Sequence, residues 1–143
     1  MDHLAIMKKS WNLLPKILSG AKSIESRWYL TKRDAWNKVK ANDTVYFKDA
    51  GCPITVKAKV SKVLQFENYS DTKLKDILNQ YYLKIAFVSS FEKVFDWARG
   101  KRYCVLIFLR HPKSIEPFEI DKRGYGNACA WITIPKISSI KVK

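Results

Sequence analysis

The sequence has no long hydrophobic run. Its longest apolar stretch, from Cys104 to Leu109, is far shorter than the roughly 20 residues that a helix needs to cross a bilayer. Asp2 precedes a short apolar segment, and Lys8 and Lys9 follow it, which reverses the charge order of a secretory signal. We therefore expect a cytoplasmic protein with no membrane partner.

Cysteine, histidine, glycine and proline are all scarce. The three cysteines lie far apart, form no Cys-x-x-Cys pair and would leave one thiol unpaired in any disulfide scheme. No cysteine and histidine cluster has the spacing of a zinc site, so we expect free thiols, no metal and no cofactor. With only five glycines and five prolines, no flexible linker divides the chain, which predicts one domain spanning residues 1–143.

Acidic residues are few relative to basic ones. The chain has 27 lysines and arginines against 13 aspartates and glutamates, a formal net charge of +14, and each third of the chain carries part of the excess. A folded surface this positive attracts polyanions, of which nucleic acid is the commonest. An anionic membrane is less favoured because no segment forms a basic amphipathic helix with a broad apolar face. A generally basic surface on a structural or protein-interaction module is the third alternative.

What the sequence does contain is a series of short strand and helix signals. The clearest is the segment 54–60, in which apolar residues alternate with polar ones and leave Lys57 and Lys59 on the wet face. The other signals predict strands over residues 3–7, 22–28, 45–47, 102–110, 115–120, 130–134 and 137–142, and helices over residues 11–18, 31–38, 74–78 and 91–97. Since strands do not alternate with long helices, we predict an α+β fold, mainly β. It would be a mixed or antiparallel β-barrel of about six strands with three or four short helices.

One segment resembles a known family. The residues Ile17-Leu18-Ser19-Gly20-Ala21-Lys22-Ser23-Ile24-Glu25-Ser26-Arg27 resemble the hallmark of ASCH domains, a short helix ending Ile-Leu-x-Gly followed by x-Lys-Ser/Thr-x-Glu-x-Arg. The segments 42–47, 56–63 and 130–134 are similar to later strands of the family, with Asn42 in place of a usual glycine. The resemblance implies a PUA-like β-barrel, a cleft between barrel and helices, and an RNA-binding or translation-linked role.

The resemblance also implies an enzymatic alternative. One ASCH branch is described as an acetylcytidine amidohydrolase that uses a lysine, a threonine and a glutamate. Lys22 matches that lysine, whereas the threonine and the glutamate have no firm match in this sequence. If the protein is an enzyme, Lys22 and Glu25 are the candidate reacting pair, because a cleft that holds two such groups can perform acid–base work.

The same segment supplies the candidate binding residues. On an extended strand, Ser23, Glu25 and Arg27 would face one side and Lys22 the other. Three polar side chains on one face can read a base edge or hold a phosphate. Trp28 can stack on an unpaired base.

Further candidates lie elsewhere in the chain. We predict that the basic strand face, with Lys57 and Lys59, holds phosphates. The glycine-spaced loop of residues 122–127 would add Lys122, Arg123, Tyr125 and Asn127. The remaining tryptophans are predicted to lie in the core: Trp11, Trp36, Trp97 and Trp131.

The sequence thus predicts a nucleic-acid-binding module for RNA or another single strand, with a nucleotide-sized recognition cleft. The alternative is a small hydrolase that acts on modified nucleosides or RNA. A binding module is favoured over an enzyme, and a monomer over an oligomer. The sequence leaves open the natural ligand and whether the cleft is catalytic.

Overall fold

The computed structural model describes residues 1–125 and 129–142. These residues form six strands, three α-helices and two short 3-10 helices. The strands are β1 (Asp2–Met7), β2 (Ile24–Tyr29), β3 (Thr44–Asp49), β4 (Ile54–Glu67), β5 (Tyr103–Phe118) and β6 (Trp131–Ile134). The α-helices are α1 (Leu14–Ser19), α2 (Asp71–Ile85) and α3 (Phe91–Ala98), and the 3-10 helices are Lys9–Trp11 and Ile137–Ile140.

The six strands form one mixed sheet in the order β2-β5-β4-β3-β1-β6. All neighbouring strands are antiparallel except β1 and β3, which are parallel. The sheet curls into a half-barrel, so the predicted α+β, mainly β fold with about six strands is confirmed. In the described residues, no helix has the length and apolarity that a membrane span requires.

The two longest strands, β4 and β5, are the centre of the half-barrel. In β4 the predicted alternation is confirmed, because Val56 and Ala58 are buried while Lys59 is exposed. β5 was predicted as two strands separated at His111, but it is continuous. Its register against β4 shifts at three places, so the two strands continue to pair past His111, whose φ is 52°.

The apolar residues divide between the two faces of the sheet. The inner face packs against α1 and the segment around Trp36, in a cluster that includes Phe47 and Val105. The outer face of β2 and of the first half of β5 packs against α2 and α3, in a cluster that includes Trp28 and Leu106. The helices therefore cover only part of the outer face.

Two predicted elements are wrong. The predicted helix over residues 31–38 is a series of turns, because hydrogen bonds from other parts of the chain hold its backbone. The Tyr29 hydroxyl donates to the Asp34 carbonyl at 2.8 Å, and the Asn37 N–H donates to the Gln65 side chain at 2.7 Å. The predicted strand over residues 137–142 is instead the second 3-10 helix, whose first N–H, from Ile137, donates to the Asp2 carboxylate at 2.8 Å.

The first helix is shorter than the hydrophobic pattern over residues 11–18 predicts. It begins at Leu14 with Pro15 in its first turn, as that proline's missing N–H allows. Trp11 belongs to a separate 3-10 helix, because Asn12 adopts the left-handed conformation between the two. The chain direction therefore changes between Trp11 and Leu14.

Candidate functional site

The segment between α1 and β2 is fixed at both ends. Gly20 ends α1 with a φ of 85°, a conformation that favours glycine, and Lys22 N–H then donates to the Lys16 carbonyl at 2.9 Å. The Ser23 N–H donates to the carbonyl of Lys84 near the end of α2 at 2.9 Å. β2, an edge strand of the sheet, follows directly, so side chains from both of its faces can reach the groove beside it.

Lys22 is buried against the end of α2. Its Nζ donates hydrogen bonds to the carbonyl of Ile85 at 2.6 Å and to the carbonyl of Ile24 at 3.2 Å. It also lies 3.5 Å from Oε1 of Glu25. The C-terminus of a helix attracts cations, so two backbone carbonyls and the nearby Glu25 carboxylate fix the position of the Lys22 side chain.

Glu25 lies between two cations. Its Oε1 accepts a hydrogen bond from the Ser26 N–H at 3.0 Å, and its Oε2 accepts one from Nη2 of Arg27 at 3.4 Å. Arg27 also donates to the carbonyl of Ala130 at 3.4 Å, and its guanidinium lies 5.2 Å from the ring centre of Trp131. The carboxylate is therefore oriented by contacts on both of its oxygens.

The charges in this group shift one another's titration. Burial raises the pKa of the Glu25 carboxyl, but Lys22, Arg27 and the Ser26 N–H together outweigh burial, so this pKa lies below its ordinary value. Burial lowers the pKa of the Lys22 ammonium, and the Glu25 carboxylate offsets only part of that effect. The group therefore combines two basic side chains with one carboxylate.

Two adjoining cavities open beside this group. The main cavity has a volume of about 330 Å³ and includes Lys22, Glu25, Phe87 and Lys93 in its lining. The side cavity has a volume of about 260 Å³, and only this second one includes Lys8 and Arg27. Glu25, Ser26 and three tryptophans line both: Trp11, Trp28 and Trp97. A volume near 300 Å³ is at the lower end for small-molecule sites.

The three tryptophans occupy different depths. Trp28 is 7% exposed, and its Nε1 donates to the Ser26 hydroxyl at 2.9 Å. Trp11 and Trp97 are 46% and 49% exposed at the mouth of the cavities. The ring centres of Trp28 and Trp97 are 6.1 Å apart in an edge-to-face arrangement. The mouth therefore presents solvent-exposed aromatic surface next to a buried ionic group.

The structure brings together Lys22, Glu25, Arg27 and Trp28 from the predicted site. The prediction that Lys22 and Glu25 face opposite sides is wrong, because β2 begins only at Ile24 and Lys22 precedes the alternating strand. Ser23 lines neither cavity, and the serine at the site is Ser26.

The other predicted residues lie away from the cavities. Lys57 and Lys59 are on the outer face of β4, and Lys122, Arg123 and Tyr125 are in the loop after β5; none of these lines either cavity. The Arg123 guanidinium is bonded to the Asp121 carboxylate, at 2.6 and 2.9 Å. Asn127 is outside the described residues.

Sequence reasoning placed two mouth residues, Trp11 and Trp97, in the core. In α3 the residues Phe91, Val94 and Ala98 follow the spacing of a buried helix face, and Trp97 is outside that stripe. This spacing predicts that Trp97 is exposed. Lys8 and Lys101 were not among the predicted site residues. Nζ of Lys8 lies 5.3 Å from the ring centre of Trp11, and Nζ of Lys101 lies 5.3 Å from the ring centre of Trp97.

The described residues contain no group of three or more histidine, cysteine, aspartate or glutamate side chains arranged to hold a metal ion. No protein-family model matches the sequence, and no curated protein sequence matches it. Among solved structures, an ASCH protein from Zymomonas mobilis matches with a TM-score of 0.68 at 13% identity, covering 99% of this chain and 96% of its own.

Two single-substitution variants of that protein match as well. A tyrosine-to-phenylalanine variant and a serine-to-alanine variant each give a TM-score of 0.67, at 14% and 15% identity. Both cover 96% of this chain, and the matched share of their own chains is 93% and 91%. The chain therefore has the fold of an ASCH domain, as its resemblance at residues 17–27 predicted.

Proposed function

We propose that this chain, which has the ASCH fold, binds one unpaired nucleobase of a single-stranded RNA in its main cavity. The observation that carries the proposal is the Glu25 carboxylate, which is held between Lys22 and Arg27 beside a cavity lined by three tryptophans. A surface made only for phosphate would have no use for a carboxylate. The acid therefore points to recognition of a group that donates hydrogen bonds.

The cavity chemistry suits a planar base with an N–H edge. Flat aromatic walls favour stacking, which is the usual way in which proteins hold unpaired bases. A carboxylate accepts hydrogen bonds from amino groups such as N4 of cytosine. Because the pKa of Glu25 lies below its ordinary value, the side chain is a pure acceptor at neutral pH.

The rim of the cavities suits the rest of a nucleic-acid strand. Lys8 and Lys93 line the cavities, and Lys101 lies over Trp97. These cations can meet phosphates on either side of an inserted base, and the net charge of +14 attracts the strand from a distance. The three free thiols Cys52, Cys104 and Cys129 suit a reducing compartment, so a cytoplasmic location belongs to the proposal.

Binding of nucleoside monophosphates tests the proposal, with quenching of tryptophan fluorescence as the signal. We expect saturable binding that Trp97→Ala weakens by about 1–3 kcal/mol, or roughly 5- to 150-fold, the usual worth of a stacked base. Trp97→Phe should retain most of the affinity, and Leu83→Ala, which removes an exposed apolar side chain of α2, should change nothing. Equal affinity of Trp97→Ala and the parent protein for the nucleotides would exclude the main cavity as the binding site.

A hydrolase that acts on a modified nucleoside or RNA is the second candidate. The observation in its favour is that two buried ionisable groups with shifted pKa values, Lys22 and Glu25, line one cavity. The Lys22 amine already donates to two backbone carbonyls, so Glu25 would be the group that activates water. Acylated nucleosides and labelled RNA, incubated with the parent protein and with Glu25→Gln, test this; product formation that is equal in both would exclude Glu25 as the base.

A further inference from the structure

The outer face of the sheet is only partly covered. Helices α2 and α3 pack on β2 and on the first half of β5, burying side chains such as Trp28 and Leu106. At the other end, the 3-10 helix Ile137–Ile140 packs near β1 and β6 through Ile137. Between these two covers, the middle of β4 and the second half of β5 remain exposed to solvent.

Four cations occupy this open area in two cross-strand rows. Lys57 on β4 is directly opposite Lys113 on β5, and Lys59 is directly opposite Arg110. Directly opposed residues of an antiparallel pair share one face of the sheet. Three of the four side chains are exposed, and Lys57 is half-buried. We call this set of four residues the basic strip.

The contacts of the basic strip are to neutral groups. Lys59 Nζ donates to the Thr44 hydroxyl at 2.8 Å and lies 3.5 Å from the Asn42 carbonyl. Arg110 Nη2 donates to the side-chain oxygen of the same Asn42 at 2.7 Å. Among the described residues, no carboxylate forms an ion pair with any member of the strip.

The nearest acid in sequence to these contacts, Asp43, is engaged elsewhere. Its carboxylate lies 2.8 Å from the His3 ring and 3.4 Å from the N-terminal amine. The strip therefore places like charges opposite each other without an acidic partner. Such pairs are destabilising in a sheet, so a bound anion would relieve their repulsion.

We infer that the basic strip is a second nucleic-acid contact, which binds backbone phosphates independently of the two cavities. Rows of neighbouring cations suit a chain of phosphates, and no cavity-lining residue belongs to the strip. A membrane is a poorer fit, because none of the large, exposed apolar side chains of the described residues lies on β3, β4 or β5. The strip would hold the polymer, whereas the cavity would hold a single base.

The salt dependence of binding to a long oligouridylate tests this inference. Each phosphate contact on a single strand contributes about 0.7 to the slope of log affinity against log salt concentration. The variant K57Q/K59Q/R110Q/K113Q should therefore lose close to 3 units of slope. A matched control, R33Q/K38Q/K75Q/K136Q, removes the same charge from exposed positions outside the strip and should lose less than one unit. Equal slopes in the strip variant and the control would overturn the inference.

Further measurements distinguish a loss of folding from a loss of binding at either site. Removal of opposed like charges should not lower the melting temperature; if the four-site variant nevertheless fails to fold, K59Q/R110Q should lose about 1.4 units of slope. The strip variant should bind nucleoside monophosphates as the parent protein does, whereas Trp97→Ala should bind them more weakly and keep the parent's salt slope on the oligouridylate. Loss of binding to phosphatidylserine vesicles with an unchanged slope on RNA would assign the strip to membranes and contradict the inference.

Discussion

The Lys22 ammonium lies 3.5 Å from the Glu25 carboxylate, and both side chains are at least 95% buried. The pair exists because Lys22 precedes the strand that carries Glu25 and turns back to the end of α2. The carbonyl of Ile85 accepts from the same ammonium, so one cation joins the helix terminus, the edge strand and the cavity. Any change at either residue therefore affects both folding and the site.

Lys22→Met should destabilise the protein strongly. Without the ammonium, the buried Glu25 carboxylate loses a counter-charge, and such losses cost about 3–5 kcal/mol. Urea unfolding measures the change in free energy. The double variant Lys22→Met with Glu25→Gln is the control, since it removes both charges and should recover part of the loss. A single variant as stable as the parent protein would show that the pair is not coupled.

The contribution of Glu25 to stability should vary with pH only in acid. The pKa of Glu25 is below its ordinary value of 4.5, so the unfolded chain takes up the proton first. Its contribution is therefore complete above about pH 4.5 and is lost as pH falls through the lower, folded value. The free energies of unfolding of the parent protein and of Glu25→Gln should differ by a constant amount between pH 7 and about pH 4.5, and the difference should shrink as pH falls further towards 3. A difference that changes near neutrality would contradict the lowered pKa.

His3 should add a pH dependence of its own. Burial lowers its pKa below 6.5, although Asp43 opposes the shift, so the folded protein keeps the ring neutral to a lower pH than the unfolded chain does. The unfolded chain binds a proton at higher pH, hence this contribution is complete above about pH 6.5 and declines as pH falls. The slope can reach about 1.4 kcal/mol per pH unit while the unfolded state alone is protonated.

Thermal or urea unfolding between pH 7.5 and pH 5 measures this slope. His3→Gln keeps a polar side chain between Asp43 and Thr133, its partners at 2.8 and 3.0 Å, but cannot titrate. The variant should lack the decline below about pH 6.5. An identical pH profile in both proteins would assign the decline to other groups.

Substitution of two cavity tryptophans should affect different properties, stability in one case and nucleotide binding in the other. Trp28 is buried against Tyr69 and Phe87, so Trp28→Ala should cost about 3–5 kcal/mol of stability, as large core truncations do. Trp97 is half exposed, so Trp97→Ala should leave unfolding nearly unchanged and weaken nucleotide binding. Paired urea unfolding and fluorescence titration distinguish the two effects. Loss of stability in Trp97→Ala equal to that in Trp28→Ala would refute the distinction.

The sequence was most informative where local chemistry and tertiary structure agree. The alternation in β4, the Gly20 helix end and the motif of residues 17–27 led directly to the sheet and to Glu25. Prediction from the sequence was wrong where hydrogen bonds from other segments determine the local conformation. Hydrogen bonds from Tyr29 and Gln65 replace the helix predicted over residues 31–38, and no local pattern contains them.

The same limit applies to the site. The relative orientation of Lys22 and Glu25 depends on where β2 begins, and a one-residue uncertainty in a strand boundary reverses the face of a side chain. Lys57 and Lys59 were recognised as basic, but their distance from the cavity follows from the strand order, in which β5 separates β4 from β2. Strand order depends on long-range pairing, which spacing along the chain does not encode.

The contact between Arg27 and the segment before β6 joins opposite edges of the half-barrel, because β2 and β6 are the outermost strands. On the ribosome, residues 130–134 emerge after all five other strands, so a nascent chain would hold Arg27 without Trp131 or the Ala130 carbonyl. A chain truncated before residue 130 would lack one support of Glu25, however complete the motif of residues 17–27. The site would thus be complete only after the last strand has been synthesised.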